Sequence, residues 1–483
     1  MPSNRMVASF ILLIVSCAFI SSSHLSAAQR SASGKQWVGT WACAPYEATS
    51  ANLPSQPLTN KTLRQIVRVS IGGDTVRVKF SNITCANAVT INAVTIAASP
   101  DGTKCPVDGA TITQIKFSGS ESVTIGPYSD IISDPVAFDL TPGMRLAISV
   151  YYGQCQTSSD MTFHYGSRTN SYLVDGDKTE SADFSGTPME RWFTISGVDV
   201  LAPRNSGSVV CFGNSITDGY GLNGGLQNRW TDAFSEALLA NDDTKQVGVL
   251  NLGIGATLVT GASNGAKSGL DRFEHDVLGQ SGVRWIIIIY GINDINGGVD
   301  ADALKNAFKT MATQAHAHDE NIKVYCGTLT PHPPANGTIN TLNEWIRNND
   351  DMDGLIDFNE ALRDPNDQTK ILQMYNNDNL HPNAEGYKAM GQCIDLDMFK
   401  IPVAVNMGDY DAHRGYAVDR SNGNSLNMLR FWGSDVSMYS INGRRLSGAA
   451  AATAAMRTPG VYIAVQRNGT DASRSALVPV VRN

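Results

Sequence analysis

The sequence lacks the patterns that identify nucleic-acid-binding and zinc proteins. Its 37 lysine and arginine residues are outnumbered by 45 acidic residues, the net charge is −8, and no basic run stands out. Because proteins that bind nucleic acid present a basic surface, no nucleic-acid partner is expected. The 8 cysteines form no Cys-x-x-Cys pair and no Cys/His spacing typical of zinc.

Long apolar runs are also scarce, and the clearest one lies at the start of the chain. It extends from Met6 to Ile20 after Arg5, and small residues follow at positions 26–28. The run is short for a membrane span, so this layout predicts a signal peptide over residues 1–28 and a secreted or cell-surface bacterial protein. A lipoprotein signal at Cys17 is the alternative interpretation.

A length of 483 residues suggests about three domains at ~150 residues each. Residues 36–200 contain short alternating segments separated by turns, which predict an accessory β-sandwich of jelly-roll type. In residues 205–400 apolar strands alternate with helical segments, which predicts an α/β domain with a parallel sheet. A polar linker is expected over residues 401–426, followed by a small β-sandwich at 427–483.

Three segments of the α/β region carry residues suited to nucleophilic catalysis. Ser215 follows the first strand at a strand-to-helix turn, where backbone N–H groups favour negative charge. Asn293 follows the continuous apolar run 285–290 and can donate to an oxyanion. Asp378 and His381 lie three residues apart in a turn, so the carboxylate can orient the imidazole that takes the Ser215 proton.

Each segment alone has an ordinary structural explanation, such as a helix cap at Ser215 or an Asx-turn at Asn293. Together they supply a nucleophile, a base, a residue that orients the base and an oxyanion donor. All of them follow strands or precede the last helix, and the carboxyl ends of parallel strands meet at one edge of a sheet. The sequence therefore predicts one catalytic centre at that edge.

These blocks, Gly-Asn-Ser-Ile-Thr, Gly-Ile-Asn-Asp and Asp-Asn-Leu-His, resemble those of the SGNH (GDSL-type) hydrolase superfamily. The resemblance spans roughly residues 208–398, and residues 36–199 resemble the β domain that precedes the catalytic domain in many secreted bacterial members. It implies a flavodoxin-like three-layer fold, no metal or cofactor, and ester hydrolysis through an acyl-enzyme.

The sequence departs from the family pattern at two positions. Asn214 replaces the usual aspartate, although asparagine can still supply a hydrogen-bond acceptor. A further family block lies at residues 251–256, Asn-Leu-Gly-Ile-Gly-Ala, and its oxyanion glycine aligns with Ala256. The backbone N–H of Ala256 can serve if its φ is negative; if the loop needs a positive φ, Gly255 takes the role. The expected oxyanion hole is thus Ser215, Ala256 or Gly255, and Asn293.

Other residues of the region carry weaker expectations. Arg229 and Trp230 line an acyl or sugar pocket in one interpretation and form a helix cap with a packed indole in another. His332 lies on a loop after a strand and could border the site. His164 is expected to be structural, and Asp294 to support Asn293 or a turn.

The tail resembles the C-terminal sorting domains of type IX secretion cargo, on segments 439–445 and 458–463. This resemblance implies the secretion machinery as a partner, whereas an accessory carbohydrate-binding sandwich is the alternative.

Taken together, the sequence predicts a secreted serine esterase that removes acetyl groups from plant polysaccharide or oligosaccharide. A lipase or broad short-chain carboxylesterase is the second interpretation, because pocket shape sets the acyl length. A surface carbohydrate-binding protein with an inactive hydrolase core is the alternative from a different class.

Overall fold

The computed structural model describes residues 34–401, except 55 and 156–160, and, beyond them, six short strands between 416 and 480. The expected signal peptide and the Cys17 alternative lie outside the described residues. The described residues up to Ile401 belong to one compact unit, and the described strands beyond residue 402 belong to a second. Among the described residues, no helix has the length and apolar character needed to cross a membrane.

The first part of the chain consists of antiparallel strands. They are β1 (Lys35–Ala42), β2 (Tyr46–Glu47), β3 (Lys61–Arg68), β4 (Gly73–Ser81), β5 (Val89–Ala98), β6 (Thr113–Ile115), β7 (Val123–Ile125), β8 (Asp130–Ile132), β9 (Val136–Leu140), β10 (Arg145–Tyr152), β11 (Thr162–His164), β12 (Ser171–Asp175), β13 (Thr187–Met189), β14 (Trp192–Phe193) and β15 (Ile195–Pro203).

These strands form three sheets. One has the order β1-β15-β4-β8 with β9 also on β4, and another the order β13-β12-β3-β10-β5-β6 with β7 also on β5. The small third sheet has the order β14-β11-β2. The expected antiparallel β character is thus present, whereas the jelly-roll sandwich itself stays a prediction.

A five-stranded parallel sheet follows, built from β16 (Gly207–Gly213), β17 (Val247–Gly253), β18 (Val283–Ile289), β19 (Lys323–Gly327) and β20 (Gly354–Ile356). Its order is β17-β16-β18-β19-β20, the 2-1-3-4-5 arrangement of flavodoxin-type sheets. Ile286, Ile287 and Ile288 of β18 are fully buried, as a continuous apolar run in a parallel sheet predicts.

Eight α-helices accompany this sheet within residues 34–401: α1 (Ser215–Asp218), α2 (Trp230–Leu239), α3 (Gly269–Arg272), α4 (Ile292–Asn296), α5 (Ala301–His318), α6 (Asn336–Asn348), α7 (Phe358–Leu362) and α8 (Ala384–Gln392). A π-helix covers Phe273–Leu278. Short 3-10 helices cover Ser50–Asn52, Gly109–Thr111, Pro333–Ala335, Gln373–Tyr375 and Leu396–Phe399.

The antiparallel region is joined to the parallel sheet by direct backbone contacts. The Gly39 N–H donates to the Ser281 carbonyl at 2.9 Å, and the Val249 N–H donates to the Ser70 hydroxyl at 2.9 Å. Gly248 lies so close to the Gly39 carbonyl oxygen that a β-carbon there would clash with it. The two regions therefore share one packed interior.

In the second unit, β21 (Tyr416–Asp419) pairs with β22 (Asn427–Arg430). A four-stranded antiparallel sheet has the order β24-β23-β25-β26, from Arg445–Leu446, Val436–Ser440, Gly460–Gln466 and Arg474–Val480. The hairpin expected after residue 440 is present as the β23–β24 pair. β21 lies inside the span expected to be a linker, so that span is not wholly irregular.

Candidate active site

Ser215 lies directly beyond the carboxyl end of β16. Asn214 caps the short helix that follows, and its side-chain oxygen accepts from the Ile216 N–H at 3.2 Å. Asparagine thus supplies the acceptor that the family's aspartate would give. A side chain at Gly213 would collide with the Ile289 carbonyl and the Thr217 hydroxyl, so the chain needs glycine there to turn from strand into helix.

Asp378 and His381 share a tight turn just before α8. The turn contains Asn379 at a φ of +67°, a conformation that asparagine tolerates better than most residues. One Asp378 oxygen accepts from the backbone N–H groups of Leu380 and His381, at 3.1 and 2.8 Å. The other lies 2.8 Å from His381 Nδ1. The carboxylate therefore fixes both the turn and the ring.

The structure brings these two segments together at Ser215. The Ser215 Oγ lies 2.8 Å from His381 Nε2, which is proton-transfer distance. Because Nδ1 faces the Asp378 carboxylate, that nitrogen carries the hydrogen of the neutral ring, and Nε2 is left as the acceptor for the serine proton.

Burial and charge tune both titratable groups. Burial is the largest single influence on His381 and, with the charges of Arg168 and His332, holds its pKa below the ordinary 6.5, although the Asp378 carboxylate raises it. For Asp378, burial alone would raise the pKa, but hydrogen bonds from the His381 backbone and ring, and from the Leu380 N–H, outweigh it and leave the pKa low. At neutral pH the pair is therefore a neutral imidazole beside a carboxylate, which suits a general base.

Residues 254–257, after β17, lie against the nucleophile. A β-carbon at Gly255 would lie 4.0 Å from the Ser215 β-carbon. Ala256 has a φ of +59°, so the negative φ under which it was expected to donate to the oxyanion is not found. A positive φ is the condition under which Gly255, instead of Ala256, was expected to donate its backbone N–H to the oxyanion.

Asn293, in α4, is held beside the same loop. Its amide donates one hydrogen to the Thr257 carbonyl at 3.0 Å, and a second amide hydrogen remains for a ligand. The Asp294 carboxylate accepts from the N–H groups of Val259 and Thr260, at 2.9 and 3.0 Å. Asp294 thus fixes the turn on which Asn293 depends, which is the supporting place expected for it.

Arg229 and Trp230, at the start of α2, are both buried. Trp230 is 0% exposed, with its ring 5.3 Å from that of Phe358, so it belongs to the core. Arg229 is also buried, and its guanidinium donates to the backbone carbonyls of Asp218, Gly166 and Ser167. Burial and these contacts agree with the other interpretation, a helix cap with a packed indole, and the acyl- or sugar-pocket interpretation stays a prediction.

His332 does reach the rim of the site. Its Nδ1 lies 3.0 Å from the Asn379 carbonyl oxygen, within the turn that carries His381. The ring is partly exposed and contributes to the field at His381. This position is the one expected for it.

A second set of residues next to the site was not anticipated. Asp218 is buried, and its carboxylate lies 3.1 Å from His164 Nε2. His164 Nδ1 in turn contacts the Ala44 carbonyl at 2.9 Å, which agrees with the structural place expected for that histidine. The ring of Tyr220 lies 4.3 Å from that of His381. Only the adjacency of Asp218 and Tyr220 to the serine motif could have pointed to them.

Across the described part of the chain, no group of three or more His, Cys, Asp or Glu side chains is arranged to hold a metal ion. The groups around Ser215 are a base, a carboxylate and amide donors, which suit transfer of an acyl group to a hydroxyl.

Residues 211–389 match the model of the GDSL-like Lipase/Acylhydrolase family. This match, which spans Ser215, Asn293 and His381, supports that family for the α/β region, and the family implies an ester hydrolase. No curated protein matches the chain.

Solved structures are similar over about two fifths of the chain. One is a lipolytic protein of the G-D-S-L family from Desulfitobacterium hafniense, 23% identical with a TM-score of 0.32, covering 39% of this chain and 97% of that one. A carbohydrate esterase family 3 from Talaromyces cellulolyticus is 16% identical, TM-score 0.29, covering 40% and 96%. A variant acetyl-xylooligosaccharide esterase from Geobacillus is 18% identical, TM-score 0.31, covering 39% and 94%.

Proposed function

We propose that this protein is a serine esterase that cleaves carboxylic esters through an acyl-serine intermediate. The observation that carries the proposal is the chain of contacts from Ser215 Oγ to His381 Nε2 at 2.8 Å and from His381 Nδ1 to Asp378 Oδ2 at 2.8 Å. A hydroxyl is a weak nucleophile at its own pKa, and this arrangement supplies the base that activates it.

The reaction follows from the positions of these atoms. His381 Nε2 takes the Ser215 proton as Oγ bonds to the carbonyl carbon, and the Asp378 carboxylate stabilises the imidazolium that forms. The backbone N–H of Ser215, that of Gly255 and the Asn293 amide hold the oxyanion. Nε2–H then protonates the leaving alcohol as its C–O bond breaks.

Deacylation repeats these steps with water. Nε2 takes a proton from the water as its oxygen bonds to the acyl carbon, and the collapse of the oxyanion expels Ser215 Oγ, which recovers its proton from His381. The products are a carboxylic acid and an alcohol, and the enzyme is restored.

The substrate we propose is an acetylated plant polysaccharide or oligosaccharide. An accessory β region and the expected export of the chain favour a polymeric extracellular substrate. A lipase or a broad short-chain esterase shares the same site chemistry, since the shape of the pocket rather than the triad sets the acyl length. A second proposal concerns export. We propose that the C-terminal unit, residues 402–483, directs the chain to the secretion machinery, as its resemblance to sorting domains implies. The enzyme would then act outside the cell or on its surface.

The serine mechanism is tested by comparing wild type and Ser215→Ala on 4-nitrophenyl acetate. Ser120→Ala, at an exposed serine of the β region, is the matched control and should retain wild-type turnover. The Ser215 variant should lose at least about 10³-fold in kcat, as for removal of a triad nucleophile. Equal rates for wild type and Ser215→Ala would end the esterase proposal and favour a carbohydrate-binding protein.

The substrate class is tested separately. Acetate release from acetylated xylan, pectin and chitin-derived oligosaccharides should exceed release of longer acyl chains from 4-nitrophenyl esters, when each is compared as kcat/KM. A preference for long acyl chains would instead support a lipase.

Export is tested by fractionation: a chain lacking residues 427–483 should accumulate inside the cells, while the full chain reaches the surface or the medium.

A further inference from the structure

A loop of the β region reaches the proposed catalytic centre. It follows β11 and covers residues 165–168. The Gly166 and Ser167 carbonyls accept from the Arg229 guanidinium at 2.9 and 2.7 Å, and the Arg168 carbonyl accepts from the Gly225 N–H at 2.7 Å. Gly166 lies directly against the Asp218 carboxylate, where a β-carbon would clash. The backbone of this loop is therefore fixed on the active-site side.

The Arg168 side chain extends from that loop toward Tyr220. Its guanidinium lies 5.8 Å from the centroid of the Tyr220 ring, and its Nη2 lies 3.9 Å from an Asp218 carboxylate oxygen. The side chain is 14% exposed, and its backbone has a φ of +50°, which an arginine seldom adopts. A conformation of this kind persists only where surrounding contacts enforce it.

Tyr220 connects this cation with the proposed base. Its ring lies 4.3 Å from that of His381, with a tilt of 39° between the two planes. The Tyr220 carbonyl accepts from the Tyr387 hydroxyl at 2.9 Å, which fixes the backbone at this position. A guanidinium, a phenol ring and an imidazole thus lie in sequence, and the first of them comes from outside the α/β region.

We propose that Arg168 is a positioning residue of the esterase: it holds Tyr220 against the His381 ring and places a fixed positive charge beside the base. The inference rests on the proposed function, because it assigns a role for His381. Its consequence is that the β region is part of the catalytic centre rather than an appendage to it.

The charge of Arg168 acts on the protonated form of the base. The groups facing His381 are Asp378 and Ser215, which hydrogen-bond to it, the Tyr220 ring, and the charges of Arg168 and His332. Burial lowers the pKa of His381, Asp378 raises it, and Arg168 and His332 lower it further. A nearby cation keeps the resting imidazole neutral and favours release of the proton to the leaving alcohol.

The test compares Arg168→Met, Arg168→Lys and wild type through the pH dependence of kcat/KM on 4-nitrophenyl acetate. This substrate is uncharged, so a direct ion pair between arginine and substrate does not contribute. For Arg168→Met the midpoint of the rise should move upward by about half a unit to one unit, as loss of a charge at this range predicts. Arg168→Lys should restore the wild-type midpoint in large part.

Arg191→Met is the matched control. Arg191 also lies over a tyrosine of the β region, 5.4 Å from the Tyr165 ring centroid, and its removal should leave the midpoint unchanged. A loss of folded enzyme that is constant across the pH range lowers the plateau and leaves the midpoint unchanged, so circular dichroism of each variant across that range completes the control. Equal midpoints for Arg168→Met and wild type would overturn the inference.

An NMR titration of the His381 ring separates this inference from the proposed function. The ring pKa should be higher in Arg168→Met than in wild type, whether or not the protein hydrolyses esters. If turnover depends on Ser215 but the ring pKa does not change, the role of Arg168 is wrong and the esterase stands. If the ring pKa changes but no ester is cleaved, the contact is real and the esterase proposal fails.

Discussion

The imidazole Nε2 of His164 lies 3.1 Å from the Asp218 carboxylate, which belongs to the helix that begins with Ser215. Both side chains are buried, and 54 residues separate them in sequence. The end of a β-region strand is thus tied to the nucleophile's own helix. The geometry of the proposed site therefore depends on how the antiparallel and parallel parts of the chain pack together.

Replacing Asp218 should weaken the contact between the antiparallel region and the helix that begins at Ser215. In Asp218→Asn the amide keeps the size of the side chain but removes the negative charge near His164 and Arg168. We expect a loss of about 1–3 kcal/mol in the free energy of unfolding, as for other disrupted buried hydrogen bonds. Urea unfolding of Asp218→Asn, His164→Asn and the double variant measures this loss, and their coupling energy should exceed about 0.5 kcal/mol. Strictly additive losses would show that the pair does not interact.

The pH profile of the reaction should reflect the low pKa of His381. The structure lowers that pKa below 6.5, mainly through burial, so kcat/KM should rise with pH and reach half its plateau below 6.5. The rate rises with pH, rather than falling, because the neutral imidazole of His381 is the active form and predominates above the pKa of that ring.

Asp378→Asn provides the matching variant for that profile. The Asp378 carboxylate raises the pKa of His381, so its removal should move the midpoint to lower pH while kcat falls by about 10⁴-fold, as in the serine-protease template. An upward movement of the midpoint in Asp378→Asn, or a flat wild-type profile across the histidine range, would contradict the assignment of His381 as the base.

Ala256 offers a prediction about strain. Its φ of +59° is costly for a residue with a β-carbon, by about 1 kcal/mol or more. In Ala256→Gly we expect the folded state to lose this strain while the unfolded chain gains freedom, so that the net change in stability is small, within about 1 kcal/mol. Activity on 4-nitrophenyl acetate should be retained, because glycine keeps the loop conformation and leaves the backbone N–H of Gly255 in place. Ala256→Val should lose both stability and activity, and a fully active Ala256→Val would show that this loop is not constrained.

The catalytic blocks could be placed from the sequence because they follow strands. The buried run of β18 predicts a strand whose end presents Asn293, and the Asp-x-x-His spacing predicts a turn that pairs carboxylate with imidazole. The 2-1-3-4-5 strand order agrees with the expected flavodoxin-like sheet. Local pattern sufficed because these contacts arise from neighbouring strands of one sheet or from residues close in sequence.

The contacts of the β region with the site could not be found in this way. The contacts of Arg168 with Tyr220 and of His164 with Asp218 form only because the two regions pack together. No periodicity or spacing in the sequence predicts that packing. From the sequence, Trp230 could either line a pocket or pack in the core, because an indole at the start of a helix fits both places. In the fold, the indole packs on the ring of Phe358, which lies more than a hundred residues later in the sequence.

The interface between the two regions contains a buried ionic cluster that gives a last prediction. Asp199 of β15 is 1% exposed at its side chain, and it lies 2.9 Å from Arg77 Nε and 3.3 Å from Lys79 Nζ. It also accepts from the hydroxyl of Ser281, in the α/β region, at 2.7 Å. In Asp199→Ala two cations would remain buried without their carboxylate, so the free energy of unfolding should fall by about 3–5 kcal/mol.

The matched variant is Asp74→Ala, which removes an exposed carboxylate 2.8 Å from Lys35 in the same region. An exposed pair contributes little, so this variant should lose less than about 1 kcal/mol. Thermal and urea unfolding measure both losses. Because Asp199 links β15 to Ser281, the Asp199 variant should also lose esterase activity at temperatures where wild type is stable. Similar stability of the two variants would mean that the buried cluster does not hold the regions together.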